Sequence, residues 1–474
     1  MHLISRICRI LPVGIALAML STSVPVLALG GEQKVEFDQF IKNIREEKRL
    51  DQIGYLIFAK ITPSRTSEDR ILAAAGSYFY ASDEGYLAHV NYVRLDRMKK
   101  SGIETQIIDK KRLDDEQESW YIVWTENSAQ EQKVKALFEP LYQNEHTMII
   151  RIRPEDRERL IAARVRFSQI DESLLPTRVP AMPKPCEFRT VDPAIASLLE
   201  FVKADEMKAD VQTLQDLKSR AVGQPGNVTA VKWLVEQYGK IPNLTVTTPT
   251  FQSGANNLQN VLAEQKGTVD PKTIIVVCGH FDSTVSSGNM SYAPGADDNG
   301  TGAIGVLTIA RALAGKKLPY TVLYAEMNAE EIGLYGSKAV AKTLAGTAGV
   351  TIKAVFNMDM LADKDDNEVA VIGNTRSNWL IDAFKDAALA YTGLKSNTLY
   401  DSKIWYSDHS SFWNIGASAI CTIEGYPDMT PYYHTTNDLV VNIAPSMMQK
   451  IVRGNLATLL IMNPLPAKIA AKER

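Results

Sequence analysis

Five short runs in the last two-thirds of the chain concentrate the residue types that bind divalent cations. They are Gly279-His280-Phe281-Asp282-Ser283, Pro294-Gly295-Ala296-Asp297-Asp298-Asn299, Glu330-Glu331-Ile332-Gly333-Leu334, Asn357-Met358-Asp359-Met360 and Tyr433-His434-Thr435-Thr436-Asn437-Asp438. Zinc accepts imidazole nitrogen and carboxylate oxygen, and a catalytic site keeps a position open for water. A carboxylate has two oxygens, so one Asp can bridge two ions ~3.5–4 Å apart. Two His, two Asp and a Glu suffice for two zinc ions and leave a further Glu as a base. That set meets the needs of metal-assisted peptide hydrolysis.

Placement matters more than the inventory. From about residue 195 helical and strand-like runs alternate: Leu198 to Leu217 and Val228 to Tyr238 read as helices, Asn260 to Glu264 and Thr273 to Cys278 as strands. Asn299 to Ala314 reads as an apolar, small-residue helix, Tyr320 to Met327, Ile352 to Asn357 and Ala417 to Ile423 as strands, and Pro445 to Met462 as a closing helix. This alternation predicts an α/β fold with a mostly parallel, doubly wound sheet flanked by helices. His280 and Asp282, Glu330 and Glu331, and Asp359 each fall just past a predicted strand, where ligand sites of open α/β sheets gather. Asp297 and His434 come from loops that would cover that edge. Asp282, two residues after His280, could accept the proton of its distal ring nitrogen. Adjacent Glu330 and Glu331 leave the backbone in different directions, so one can ligate while the other stays free.

Residues 29–171 read as a separate α+β module. Gly54 to Lys60, His89 to Leu95, Trp120 to Trp124 and Met148 to Arg153 are β-rich. Tyr92 to Ile107 and Ile150 to Ile170 echo one another as strand, helix, strand, which predicts one split βαβ, ferredoxin-like sandwich. Its His89 and His146 are expected to be structural or surface groups. Pro176, Pro180, Pro183, Pro185 and Pro193 mark an extended linker over 172–194, before a catalytic domain at 195–474. The module is read either as a propeptide or as a permanent accessory domain.

Arg6 and Arg9, the apolar run Ile10 to Leu20 and Val26-Leu27-Ala28 predict a signal peptide at 1–28 and hence export, to the periplasm or the medium, with no stable membrane anchor. Cys8 precedes the apolar run, where it would not take a lipid. Cys186, Cys278 and Cys421 permit at most one disulfide, and Cys278 and Cys421 lie in apolar strand-like runs as expected of buried thiols. Hydrophobic residues make up 45% and charged residues 23% of the 474, with formal net charge −3. No strong basic field exists to bind nucleic acid or anionic membranes. A monomer is expected.

At these motifs the chain resembles the secreted bacterial leucyl-aminopeptidase family of co-catalytic zinc exopeptidases, over roughly residues 195–465. The resemblance implies one zinc on His280 and Asp359 and another on Glu331 and His434, with Asp297 bridging and Asp282 orienting His280. It implies Glu330 as general base. It also implies a cis peptide after the bridging Asp, at Asp297-Asp298, and an oxyanion-stabilising tyrosine, matched by Tyr406 in Tyr406-Ser407-Asp408-His409, with His409 structural. Some relatives carry a disulfide flanking that tyrosine; Lys403 to Asp408 contains no cysteine. The expected activity removes the N-terminal residue from peptides or proteins.

Met360, Trp405, Ile423 and Tyr432, beside Tyr406, are expected to line the specificity pocket, which suits a bulky apolar residue. Glu424 and Asp428 nearby could instead welcome Lys or Arg. A carboxypeptidase or dipeptidase on the same scaffold would need a cation for the substrate carboxylate, for which Lys403 is the candidate among the ligand loops. A glutaminyl-cyclase-like transferase and a metal-free binding module are the remaining readings.

Overall fold

The computed structural model describes residues 52–465 apart from 115–116, 126, 145–146, 164, 171–174, 176–178, 180–189, 254–255, 287–288, 400–404 and 426–429. The signal-peptide reading, Cys8, Cys186, His146, Lys403, Asp428 and most of the predicted linker lie outside the described residues. No helix among the described residues is long and apolar enough to cross a membrane. Gly54–Arg474 form one compact unit.

The N-terminal region contains two small sandwiches where one was expected. The first runs β1 (Ile53–Lys60), α1 (Arg65–Ala75), β2 (Tyr80–Ser82), β3 (Gly85–Asn91), α2 (Tyr92–Lys100) and β4 (Glu104–Arg112). The second repeats it as β5 (Ser119–Trp124), α3 (Ser128–Leu137), β6 (Tyr142–Asn144), β7 (Thr147–Ile152), α4 (Arg157–Ala163) and β8 (Arg166–Gln169). The sheet orders, β2-β3-β1-β4 and β6-β7-β5-β8, are the same ferredoxin-like order built twice. The sequence echo is therefore real but belongs to the second half of each sandwich. Tyr92 to Leu95 begins a helix instead of continuing a strand, because the Asn91 side chain accepts the Arg94 N–H as an N-cap.

The larger sheet has eight strands in the order β17-β16-β18-β15-β13-β14-β12-β9. Their ranges are β9 (Thr245–Thr247), β12 (Val261–Gln265), β13 (Asp270–His280), β14 (Tyr320–Met327), β15 (Thr351–Met358), β16 (Glu368–Gly373), β17 (Lys395–Leu399) and β18 (Ala419–Ile423). A separate hairpin pairs β10 (Thr250–Ser253) with β11 (Asn256–Gln259). The core of the sheet is parallel: β14 and β15 flank β13, and β18 follows β15 in the same direction. β12 and β16 reverse the direction on either side. Parallel strands covered on both faces read as continuous apolar runs, and Ile275 to Cys278 are 0% exposed.

Helices cover the faces: α5 (Pro193–Leu199), α6 (Ala204–Gln215), α7 (Pro225–Gly239), α8 (Gly302–Ala312), α9 (Tyr335–Gly346), α10 (Asn378–Thr392), α11 (His409–Trp413) and α12 (Pro445–Met462). The predicted helix over Leu198 to Leu217 is broken into α5 and α6. α8 is buried on nearly every side, as its all-round apolar sequence requires. Its Ile304, Val306, Leu307 and Ile309 are fully buried, each contributing about 1.5–3 kcal/mol of transfer free energy. α8 thereby anchors the loop that precedes it, which enters the site.

Candidate metal centre

Three neighbouring parallel strands deliver donors to one sheet edge. β13 ends at His280, β15 is followed at once by Asp359, and β14 is followed by Asn328, Ala329 and then Glu330-Glu331. The His280 ring is buried, and its Nε2 lies 3.3 Å from Asp359 Oδ1, 3.3 Å from Asp298 Oδ1 and 3.9 Å from Glu330 Oε2. On the other side His434 Nε2 is 3.0 Å from Asp298 Oδ2 and 3.0 Å from Glu331 Oε2. One oxygen of Asp298 thus faces each imidazole.

The bridging position differs from the expectation by one residue. Asp297 does not enter the cluster; its Oδ1 accepts the Ala362 N–H at 2.9 Å and the Thr301 hydroxyl at 3.1 Å. The cis peptide bond is Asp298-Asn299, not Asp297-Asp298. The cause is local. Ala296–Thr301 form a kinked turn in which Asp298 and Asn299 leave helical geometry. Asp438 clamps the turn, its two oxygens accepting the N–H groups of Asp297 (2.7 Å) and Asp298 (2.9 Å). Gly295 begins the turn at φ 51°, where a Cβ would meet Asp298 O and Ser283 Cβ at 2.5 Å. Asn299 ties the far end to the sheet, donating to Met358 O at 3.0 Å and accepting the Met360 N–H at 3.1 Å.

These donors fit zinc. They are buried imidazole nitrogens and carboxylate oxygens converging within ion-binding range, the groups His280–Asp298–Glu331 and His280–Glu330–Asp359 among them. Glu331 Oε1 is buried with no hydrogen-bond partner, which leaves it available as a ligand oxygen.

Residues 260–459 match the model of peptidase family M28. This stretch is similar to that family. The M28 stretch holds all the converging donors. Among curated relatives, the chain is 34% identical over 128 residues to a probable zinc metalloprotease of Pyricularia oryzae, covering 25% of each chain. It is 26% identical over 281 residues to a probable leucine aminopeptidase of Arthroderma otae, covering 56% of this chain and 75% of that one. The chain thus spans a quarter of the length of the first relative and three-quarters of the second. The solved aminopeptidase LapA of Legionella pneumophila shares the fold, with TM-score 0.61 and 18% identity over 73% of this chain and 98% of that chain.

Around the M28 donors a supporting layer fixes each side chain. His280 Nδ1 lies 3.1 Å from Asp282 O and 3.5 Å from its carboxylate. An Nδ1–H there leaves Nε2 with its lone pair toward the donors. The Asp282 carboxylate also accepts the N–H groups of Glu330 and Glu331. Asp359 Oδ2 accepts the Ser407 hydroxyl at 2.6 Å, and Ser407 Oγ accepts from Asn357 at 2.7 Å. Ala329, Met360 and His434 adopt positive φ (61°, 49° and 54°), beside Glu330, beside Asp359 and at a donor itself. Non-glycine residues in this region cluster at functional sites.

The electrostatics follow from crowding. Burial alone would lower the His280 imidazole, but Glu330 and Asp359, with Asp282 and Asp298, raise it well above its ordinary value. His434 is likewise opposed by burial and raised by Glu331 and Asp298, to about 9. Burial disfavours the charge on Asp298, yet hydrogen bonds from His280 and His434 hold that carboxyl well below the usual range. Burial pushes Glu331 to about 7 and Glu330 well up.

The remaining expected residues are placed as follows. The Tyr406 ring meets the Trp124 ring edge-on at 5.9 Å, and Arg166 lies over it. Trp405 is a correction: its ring packs among Tyr78, Tyr80 and Trp413 and lines a cavity of about 60 Å³ with N-terminal residues, so it joins the modules instead of a specificity pocket. Met360 and Ile423 are buried beside the donors' strands, and Tyr432 is half-buried two residues before His434. Glu424 is also corrected. It is 1% exposed, its Oε1 accepts the Thr430 N–H, and its carboxyl pairs with that of Asp297, so it is unavailable to a substrate cation. His409 packs edge-on against Trp413 at 4.5 Å. Cys278 and Cys421 are free and buried, their thiols pushed up by burial.

Four contributors carry no motif role in the sequence reading: Asp298, Asp438, Arg220 and Arg166. The first two lie inside the quoted motifs, and only the kink distinguishes Asp298 from its neighbour. Arg220 is fully buried and donates to Phe281 O, Pro294 O and Gly295 O at 2.6 Å each, joining the His280 strand to the Asp298 turn. Arg166 comes from the second N-terminal sandwich. Its guanidinium lies 5.1 Å from the Tyr406 ring and 5.1 Å from the Tyr433 ring, and donates to Tyr433 Oη.

Proposed function

We propose that this protein is an exported metallo-aminopeptidase that hydrolyses the N-terminal residue from peptides with two zinc ions per chain. The observation that carries the proposal is Asp298: its two carboxylate oxygens face two different imidazoles, with Glu330 beside one of them. His280 and Asp359 would hold one ion and His434 and Glu331 the other, with Asp298 between them. When bound, the ions would polarise the scissile carbonyl and make water more acidic.

The chain's own groups do the rest. Glu330 takes the proton of the attacking water at its carboxylate and later delivers it to the departing amine. Burial raises the Glu330 carboxyl well above its ordinary range, so it holds a proton more readily than a solvated glutamate does. Asp282 fixes the His280 tautomer and the Glu330 backbone. The Tyr406 hydroxyl would donate to the developing oxyanion, and Met360, Ile423 and Tyr432 would border an apolar pocket suited to a residue such as leucine.

Free and N-acetylated aminoacyl-p-nitroanilides, assayed with and without chelator, test this reading. Chelator-sensitive cleavage of the free-amine compounds alone is expected. Glu330→Gln should reduce kcat by at least about 100-fold with both ions retained. Cleavage of acetylated substrates, release from the C-terminus or retained activity in Glu330→Gln would overturn it.

A further inference from the structure

The N-terminal region meets the site at two places. β8 is an edge strand of the second sandwich, and it lies along the loop that follows the glutamate pair. Ser168 donates to Gly333 O at 3.1 Å, Tyr335 donates to Gln169 at 2.9 Å, and Lys338 bonds Ser168 and Gln169 O. The first sandwich packs beside Tyr406 and Ser407: Tyr78 and Tyr80 pack on Trp405, Tyr78 N–H donates to Asn414 O, and Asp69 pairs with Arg376, which donates to Gly416 O. Arg166, at the start of β8, lies among the Tyr406 and Tyr433 rings. The Tyr433 ring stacks on His434 with centroids 3.8 Å apart. One aromatic residue thus separates the guanidinium from a metal-facing imidazole.

We infer that Arg166 is a specificity-determining residue that receives the C-terminal carboxylate of a short peptide substrate, and that the N-terminal region is a working wall of the site. The inference rests on the aminopeptidase reading. A substrate held by its free amine at the metals extends past the scissile bond toward the mouth, and in a dipeptide the chain ends there in a carboxylate about 3.8 Å further on. Guanidinium matches carboxylate with paired N–H donors, and the aromatic faces around it reduce its exposure to water without removing its charge. A long polypeptide would meet the β8–Gly333 contact on this side. A cationic residue just past the scissile bond would meet Arg166 itself. The cation for a substrate carboxylate is then supplied from the second N-terminal sandwich.

The test compares leucyl-glycine, leucyl-glycinamide and leucyl-p-nitroanilide on the full-length zinc-loaded protein and on Arg166→Gln and Arg166→Lys, with thermal melting as a folding control. Arg166→Gln should raise KM for leucyl-glycine about tenfold or more relative to the two substrates that lack a carboxylate, and be partly rescued by Lys. Equal losses on all three substrates, no loss on leucyl-glycine, or faster turnover of all three would overturn the inference while leaving an aminopeptidase. Absence of cleavage of every free-amine substrate by the unaltered protein would overturn the activity itself, and the inference with it.

Discussion

The carboxylate of Asp282 accepts the backbone N–H groups of both Glu330 and Glu331, at 3.1 and 3.2 Å, while its residue also faces His280 Nδ1. One fully buried side chain therefore sets an imidazole, a candidate ligand and the candidate base together. Asp282→Asn keeps the shape but turns one acceptor into a donor aimed at an N–H. The expected result is a fall in kcat/KM of about 10–100-fold with the fold intact, as is usual for groups behind a metal ligand. Steady-state kinetics with circular dichroism check it. An unchanged kcat/KM would show that the Glu330 backbone is held by other means.

Asp297 and Asp298 are neighbours with opposite surroundings. Asp298 lies between His280 and His434, whereas Asp297 is turned toward Thr301, Ala362 and Glu424. Asp298→Asn should therefore lose bound zinc and reduce activity by about 100-fold or more. Asp297→Asn should keep its zinc content and lose chiefly stability. Metal analysis after dialysis separates the pair, and the reverse pattern would restore Asp297 as the bridge.

How much of this was legible in the sequence follows from the range of each interaction. Strand–loop–helix alternation is local, so His280, Glu330, Glu331 and Asp359 could be placed at one sheet edge from apolar runs alone. The choice between Asp297 and Asp298 depends on Asp438, 140 positions away along the chain from Asp298, and no local pattern encodes it. Trp405 reads as a pocket residue because it adjoins Tyr406, yet its partners Tyr78 and Tyr80 belong to the first sandwich, more than 300 residues earlier. The doubled sandwich was half visible: its echo was detectable, but the Asn91 cap that turns Tyr92 into a helix start was missed.

Arg220 extends this point to stability. Its guanidinium is fully buried and bonds three carbonyls of the His280 and Asp298 loops at 2.6 Å. Burial lowers it to about 10, opposed by Asp438 and Asp282, so it stays charged at neutral pH. Arg220→Met would strand those carbonyls and leave Asp438 without its nearby cation. Destabilisation of about 3–5 kcal/mol in urea unfolding is expected, with zinc affinity falling in parallel. A variant as stable as the parent would mean that the two loops hold their positions without this link.

Glu424 offers a test through pH. Burial first, then the Asp297 carboxylate, pushes its carboxyl up to about 12, from an ordinary 4.5. The folded chain therefore keeps a proton that the unfolded chain releases. Stability linked to that proton is fully present below the unfolded value and is lost progressively as pH rises toward the folded one. Glu424→Gln is neutral at every pH, can still accept the Thr430 N–H, and can donate its amide to Asp297. At about pH 4 variant and parent should unfold at similar denaturant concentrations; by about pH 8 the variant should be the more stable, the gap widening by at most about 1.4 kcal/mol per pH unit. Urea titrations across that range read the gap directly. A gap that stays flat with pH would mean that Glu424 is ionised in the folded protein and that the Asp297 pair does not share a proton.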